Sequence, residues 1–146
     1  HDALPILQLL DIDDIAVDPT LASKGVWTNY MGGEFLLARK GSEYNSRLTE
    51  LYIENAEVIQ AKTPESTIKL MEIYQRAFCE KVLLDWKILR GGKKLKYTPE
   101  TAWEILKDPR FAELTAHLES FSMNHANYRE AKIAEVAKQV KSSAVS

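Results

Sequence analysis

The chain has 146 residues, 45% of them apolar and 27% charged, with a formal net charge of −2. That is enough sequence for one domain with a sizeable core, and no disulfide or metal staple is required. A near-neutral charge excludes a general attraction to nucleic acid or to acidic membrane surfaces. The single cysteine, Cys79, excludes an internal disulfide and suits a reducing, cytosolic compartment.

Residues 1–24 form a leading segment that packs on the domain or leads into it. The chain opens with His1-Asp2, which reads as a tag remnant, so His1 is left out of functional reasoning. Leu4 to Leu10 is apolar but has no basic leader, and acidic residues follow at once, which makes it a poor signal peptide. No apolar run reaches the roughly 18 residues that span a bilayer. Ile6, Leu7, Leu9 and Leu10 are expected to dock as a short helix or strand, ahead of an acidic run and a turn at Asp18-Pro19. Asp11-Ile12-Asp13-Asp14 is not a calcium loop, because the sixth and twelfth positions, where an EF-hand needs Gly and Glu, hold Ala16 and Ala22.

Val26 to Tyr30 and Glu34 to Arg39 are strand-like, and Gly32-Gly33 between them supplies the positive φ angles of a tight reversal. After Gly41 the apolar period changes. Tyr44, Leu48, Leu51, Tyr52, Ala56 and Ile59 share one face of a helix predicted within 42–62. Thr63-Pro64-Glu65 starts a second helix, within 64–86, whose stripe is read as Ile68, Met71, Phe78, Val82 and Trp86. Residues 87–96 are a basic connector that allows a short hairpin around Gly91-Gly92. Thr98-Pro99 and Asp108-Pro109 each place a capping oxygen before a proline at the first helical position. They predict a short helix burying Ala102, Ile105 and Leu106, and a long one within 109–140 carrying Phe111, Leu114, Leu118, Phe121, His125 and Tyr128. The expected fold is therefore mainly α: an N-terminal β-hairpin, then a bundle of about three long helices plus a short one. Residues 25–141 form a single domain and 142–146 a flexible tail.

Few residues suggest chemistry. Gly91-Gly92-Lys93-Lys94 lacks the spacing of a phosphate-binding loop. Cys79 has no local catalytic signature, His117 and His125 miss the i,i+4 spacing of helical zinc ligands, and no carboxylate pair is marked out for acid–base work. No catalysis, cofactor or metal is expected. Lys87, Arg90, Lys93, Lys94 and Lys96 form a basic cluster bordered by Trp86 and Tyr97, and they are the candidate partner-binding residues. The bland alternative is a solvated hairpin face. Trp27, Trp86 and Trp103 are expected to pack in the core, and any one left exposed becomes an interface residue.

The order of these signals resembles that of the tail assembly chaperones of long-tailed bacteriophages. The resemblance runs from about Gly25 to Arg129. Its first half is Gly25-Val26-Trp27, Glu34-Phe35-Leu36-Leu37-Ala38-Arg39 and Asn45-Ser46-Arg47-Leu48. Its second half is Leu84-Asp85-Trp86, Gly91-Gly92, Tyr97-Thr98-Pro99-Glu100, Asp108-Pro109-Arg110-Phe111 and Tyr128-Arg129. The turn after Trp86 is more basic than the family pattern, and residues 3–24 have no counterpart. The resemblance implies a non-enzymatic protein of the host cytoplasm, absent from the mature virion, that keeps the tape measure protein soluble until the tail tube polymerises around it. It further implies weak self-association and contact with the tail tube protein through a longer, frameshifted form. The alternatives are a small helical regulator or adaptor that binds nucleic acid or an acidic partner through 87–96 and, less favoured, a small enzyme.

Overall fold

A computed structural model describes residues 8–130. Asp18 accepts from the backbone amides of Thr20 at 2.8 Å and Leu21 at 3.3 Å, which starts a short helix, α1 (Pro19–Lys24), where the sequence suggests a turn. Strands β1 (Val26–Tyr30) and β2 (Gly33–Leu37) follow as an antiparallel hairpin, in which Val26 faces Leu37 and Tyr30 faces Gly33. The reversal lies one residue earlier than expected. Met31 (φ +50°) and Gly32 (φ +88°) take the two left-handed positions of the turn, while Gly33 is already the first residue of β2. Gly33 is needed for a different reason: a Cβ there would stand 2.8 Å from Cγ2 of Ile88.

Helices α2 (Ser42–Glu54) and α3 (Ala56–Gln60) replace the single helix expected within 42–62. The break is at Asn55, whose side-chain amide donates to the carbonyl of Leu51 at 2.8 Å and so competes with the helical ladder. Helix α4 (Pro64–Lys81) begins where the Thr63 amide donates to Oγ of Ser66 at 3.0 Å. Arg47 ties α2 to α4 through Nε, 2.5 Å from the Glu80 carboxylate. The apolar stripe of α4 is not the expected one. Ile73, Ala77, Phe78 and Cys79 are buried, whereas Ile68 and Met71 are exposed.

Helix α4 ends at Lys81, and the residues read as its last turn form a third strand, β3 (Leu83–Lys87), beside β2. Phe35 faces Trp86, Leu36 faces Asp85 and Leu37 faces Leu83, so Leu84 is an extra residue that bulges the ladder. The sheet order is β1-β2-β3. Strands β4 (Leu89–Arg90) and β5 (Lys93–Lys94) make a second, two-stranded sheet, closed by Gly91 and Gly92 at positive φ as the sequence allows. Helix α5 (Pro99–Leu106) is capped by Thr98, which accepts from the amide of Thr101 at 3.0 Å. Pro109–Phe111 is a single 3-10 turn leading into helix α6 (Ala112–Met123), and His125–Tyr128 is another. The expectation of one helix over 109–140 is corrected accordingly up to residue 130. Its remainder, the tail 142–146 and the leading residues Ile6 and Leu7 lie outside the described residues. Leu9 and Leu10 are exposed and not docked.

The molecule is thus an α+β fold with six helices and two small antiparallel sheets among the described residues, not a mainly α bundle with one hairpin. The inner face of the three-stranded sheet supplies Phe35, Leu37, Leu83 and Trp86 to the core, and α2, α4, α5 and α6 supply Leu51, Phe78, Ile105 and Leu118. Tyr128 is fully buried and fastens the end of the chain to β2. Its hydroxyl lies 3.1 Å from the carbonyls of both Leu37 and Ala38, and its own carbonyl accepts from the Asp18 amide at 2.8 Å.

Candidate functional site

An open groove of about 1030 Å³ lies at the turn end of the β1–β2 hairpin. Its walls are the Met31–Gly32 turn, the end of β3 and the β4–β5 hairpin, and Leu114 of α6 closes one side. Four aromatic residues line it: Tyr30 beside the turn, and Phe35, Trp86 and Tyr97 as the floor. Trp86 faces Phe35 across the β2–β3 ladder and is only 5% exposed. Its indole Nε1 donates to the carbonyl of Leu95 at 2.8 Å, and its ring meets Tyr97 edge-on at 5.1 Å. The Tyr97 hydroxyl donates to the carbonyls of Cys79, at 2.8 Å, and Leu83. The polar atoms of Trp86 and Tyr97 are therefore satisfied inward, and these two rings offer carbon to the groove. Gly33 lets the main hairpin approach Ile88, and both residues line the groove.

The lips carry two apolar residues that the expected core did not include. Met31 is 89% exposed and sits in the left-handed region, where a bulky side chain is disfavoured by roughly 1–2 kcal/mol. Leu89 is 64% exposed on β4. A solvated methionine in the left-handed region buries little apolar surface of its own, and its flexible thioether stands free beside the aromatic floor.

The five basic residues divide between two places. Lys87, Lys94 and Lys96 line the groove, Lys94 facing Leu89 across the short ladder. Lys87 is already engaged, its Nζ lying 3.8 Å from the Glu34 carboxylate and 4.6 Å from the centre of the Trp27 ring. Arg90 and Lys93 form the other cross-strand pair next to the Gly91-Gly92 turn, outside the groove. Like charges opposed on a ladder destabilise it. Among the described residues, Lys93, Lys94 and Lys96 form no salt bridge. Of the tryptophans, Trp86 is buried, Trp103 is half-buried beneath Lys107 at 4.0 Å, and Trp27 is exposed on the outer face of the sheet, contrary to its expected core position.

The residues with reactive side chains are dispersed. Burial, reinforced by Glu80, pushes the Cys79 thiol up from 9.0 to about 12, so it is a thiol and not a thiolate at neutral pH. His117 stacks on Tyr30 at 4.7 Å, with Nε2 buried and unpartnered, while His125 lies 3.3 Å from Arg39. Among the described residues no group of three or more His, Cys, Asp or Glu is placed to hold a metal ion, and no helix is long and apolar enough to cross a membrane. Sequence reading located Trp86, Tyr97 and the lysines, placed Leu114 on a helical packing stripe, and missed Met31, Ile88, Leu89 and Leu95. The available signal was local: a methionine in a two-residue turn and a leucine inside a basic hairpin stand where polar residues are the rule.

This geometry defines a small α+β protein with an open groove floored by aromatic rings and margined by lysines. The chain belongs to the YdaY prophage protein family, whose model matches residues 39–139, and it is phage-derived. That span includes β3 and both strands of the small hairpin. No curated protein and no solved structure matches the chain.

Proposed function

We propose that this protein is a non-catalytic phage tail assembly chaperone whose groove holds an amphipathic helix of the tape measure protein in the host cytoplasm. The observation that carries the reading is the pair of exposed apolar lips, Met31 and Leu89, over the floor of Phe35, Trp86 and Tyr97. A helix about 10 Å across fills roughly 420 Å³ per turn, so the groove accommodates about two turns. Two turns present three apolar anchors at i, i+3 or i+4, and i+7, which suits recognition of a helix by an apolar cleft. Lys94 and Lys96 then meet acidic residues flanking those anchors and set the rate of encounter more than the final affinity.

Phage derivation, the resemblance described above and the lack of a convergent polar set all support this reading over an enzyme. The test is coexpression with the tape measure protein of the same prophage. The wild-type chain should raise that client's soluble yield, and Met31→Ser with Leu89→Ser should remove the effect without unfolding the protein. A client that is equally soluble without this chain overturns the proposal. The opposed Arg90–Lys93 pair favours one other reading, a nucleic-acid contact at the hairpin tip; affinity for RNA that falls steeply with salt and is lost in Arg90→Ala would mark it.

A further inference from the structure

The leading segment carries its own complement to the groove. Leu9, Leu10, Ile12 and Ile15 are all exposed, and Asp11, Asp13 and Asp14 lie among them. Ile12–Ile15 is already a 3-10 turn, with Asp11 accepting from the Asp13 amide at 3.1 Å. Leu9 to Ile15 is the length of about two helical turns. Its apolar residues at 9, 12 and 15, with acidic residues between, match the groove in size, in carbon surface and in charge.

The segment does not sit in the groove of its own chain. Its base is held at the opposite end of the β1–β2 hairpin, where Arg129 Nε donates to the Ile15 carbonyl at 3.3 Å and the Asp18 amide donates to Tyr128. The groove lies at the Tyr30–Gly33 end, a strand length of roughly 17 Å away. We propose that the segment Leu9–Ile15 of one copy docks in the groove of a second copy, with Asp13 and Asp14 set against Lys94 and Lys96. When the exchange is reciprocal it closes as a two-fold pair, and when it is not it runs on head-to-tail to further copies. Self-association and client binding then compete for one surface, so the client releases copies from one another. The inference rests on the groove being a docking surface, as proposed above, but not on the identity of the client.

Sedimentation velocity over a range of concentrations tests it. The wild-type chain should associate reversibly, and both Asp13→Lys with Asp14→Lys and Lys94→Glu with Lys96→Glu should weaken association by about tenfold or more. An equimolar mixture of the two variants should associate again, since each supplies a charge-matched surface to the other. A wild-type chain that stays monomeric, a variant that associates like the wild type, or a mixture that stays monomeric overturns the proposal. The Asp13→Lys, Asp14→Lys variant keeps an intact groove and should still solubilise the tape measure protein. Loss of the client effect in the wild type, with self-association intact, therefore counts against the proposed function and not against this contact.

Discussion

Trp86 joins the core to the groove, and its truncation separates the contributions involved. In Trp86→Phe the ring keeps most of its contact with Phe35 and Tyr97 but loses the Nε1 hydrogen bond to Leu95, worth about 1 kcal/mol net. Trp86→Ala removes the whole side chain from a site that is 5% exposed, for which large core truncations cost about 3–5 kcal/mol. For a domain of this length that corresponds to a fall in Tm of roughly 6–20 °C. Urea unfolding followed by circular dichroism should therefore place Trp86→Phe within about 1–2 kcal/mol of the parent and Trp86→Ala well below it. Because the Leu95 carbonyl fastens the small hairpin to the floor, Trp86→Phe should also increase hydrogen exchange over 89–96. A Trp86→Ala protein that unfolds within about 1 kcal/mol of the parent would refute the claim that this side chain is part of the core.

Tyr128→Phe should lower stability by about 1–3 kcal/mol in the same assay, because the Leu37 and Ala38 carbonyls lose the buried hydroxyl that serves them both. Alkaline pH should weaken the fold. Burial raises Cys79 from 9.0, and Tyr44 from 10.0, to about 12, so the stability each contributes is complete below its ordinary value and is lost as pH rises toward 12. Urea midpoints should begin to fall above pH 9 in the parent and only above pH 10 in Cys79→Ala; identical onsets refute the assignment. Met31→Asn should act with opposite signs, raising stability by about 0.5–1 kcal/mol by suiting the left-handed turn position while weakening client binding through the lost apolar lip. A variant that is both more stable and equally competent would remove Met31 from the docking surface.

The elements legible in the sequence were those whose signals are local. The change of period after Gly41, the Val26–Arg39 hairpin, the Gly91-Gly92 reversal and the Thr98-Pro99 start all depend on neighbouring residues, and each is present. Leu83–Lys87 was misread because Phe78, Val82 and Trp86 satisfy helical spacing as well as any true stripe. What makes that segment a strand is the exposed ladder of β2, distant in sequence, and pairing of this kind overrides propensity. The same error hid the groove. Its walls come from residues 30–35, 85–97 and 114, which share a surface only once the β2–β3 register is known. The lysines were visible as a cluster, but their division between groove and hairpin tip depends on which residues pair across Gly91-Gly92.

Strand β2 is bonded on one side to its immediate neighbour in sequence and on the other to β3, with α2, α3 and α4 intervening. Closing so long a loop carries an entropic penalty that is met only after the intervening chain has become compact. The helices, which pack largely on their neighbours in sequence, are therefore expected to consolidate before that ladder closes. The floor of the groove, built on the β2–β3 ladder, is on the same argument expected to form late. A copy whose β2–β3 ladder is still unpaired has no groove, so the docking proposed above would begin only once that last pairing is made.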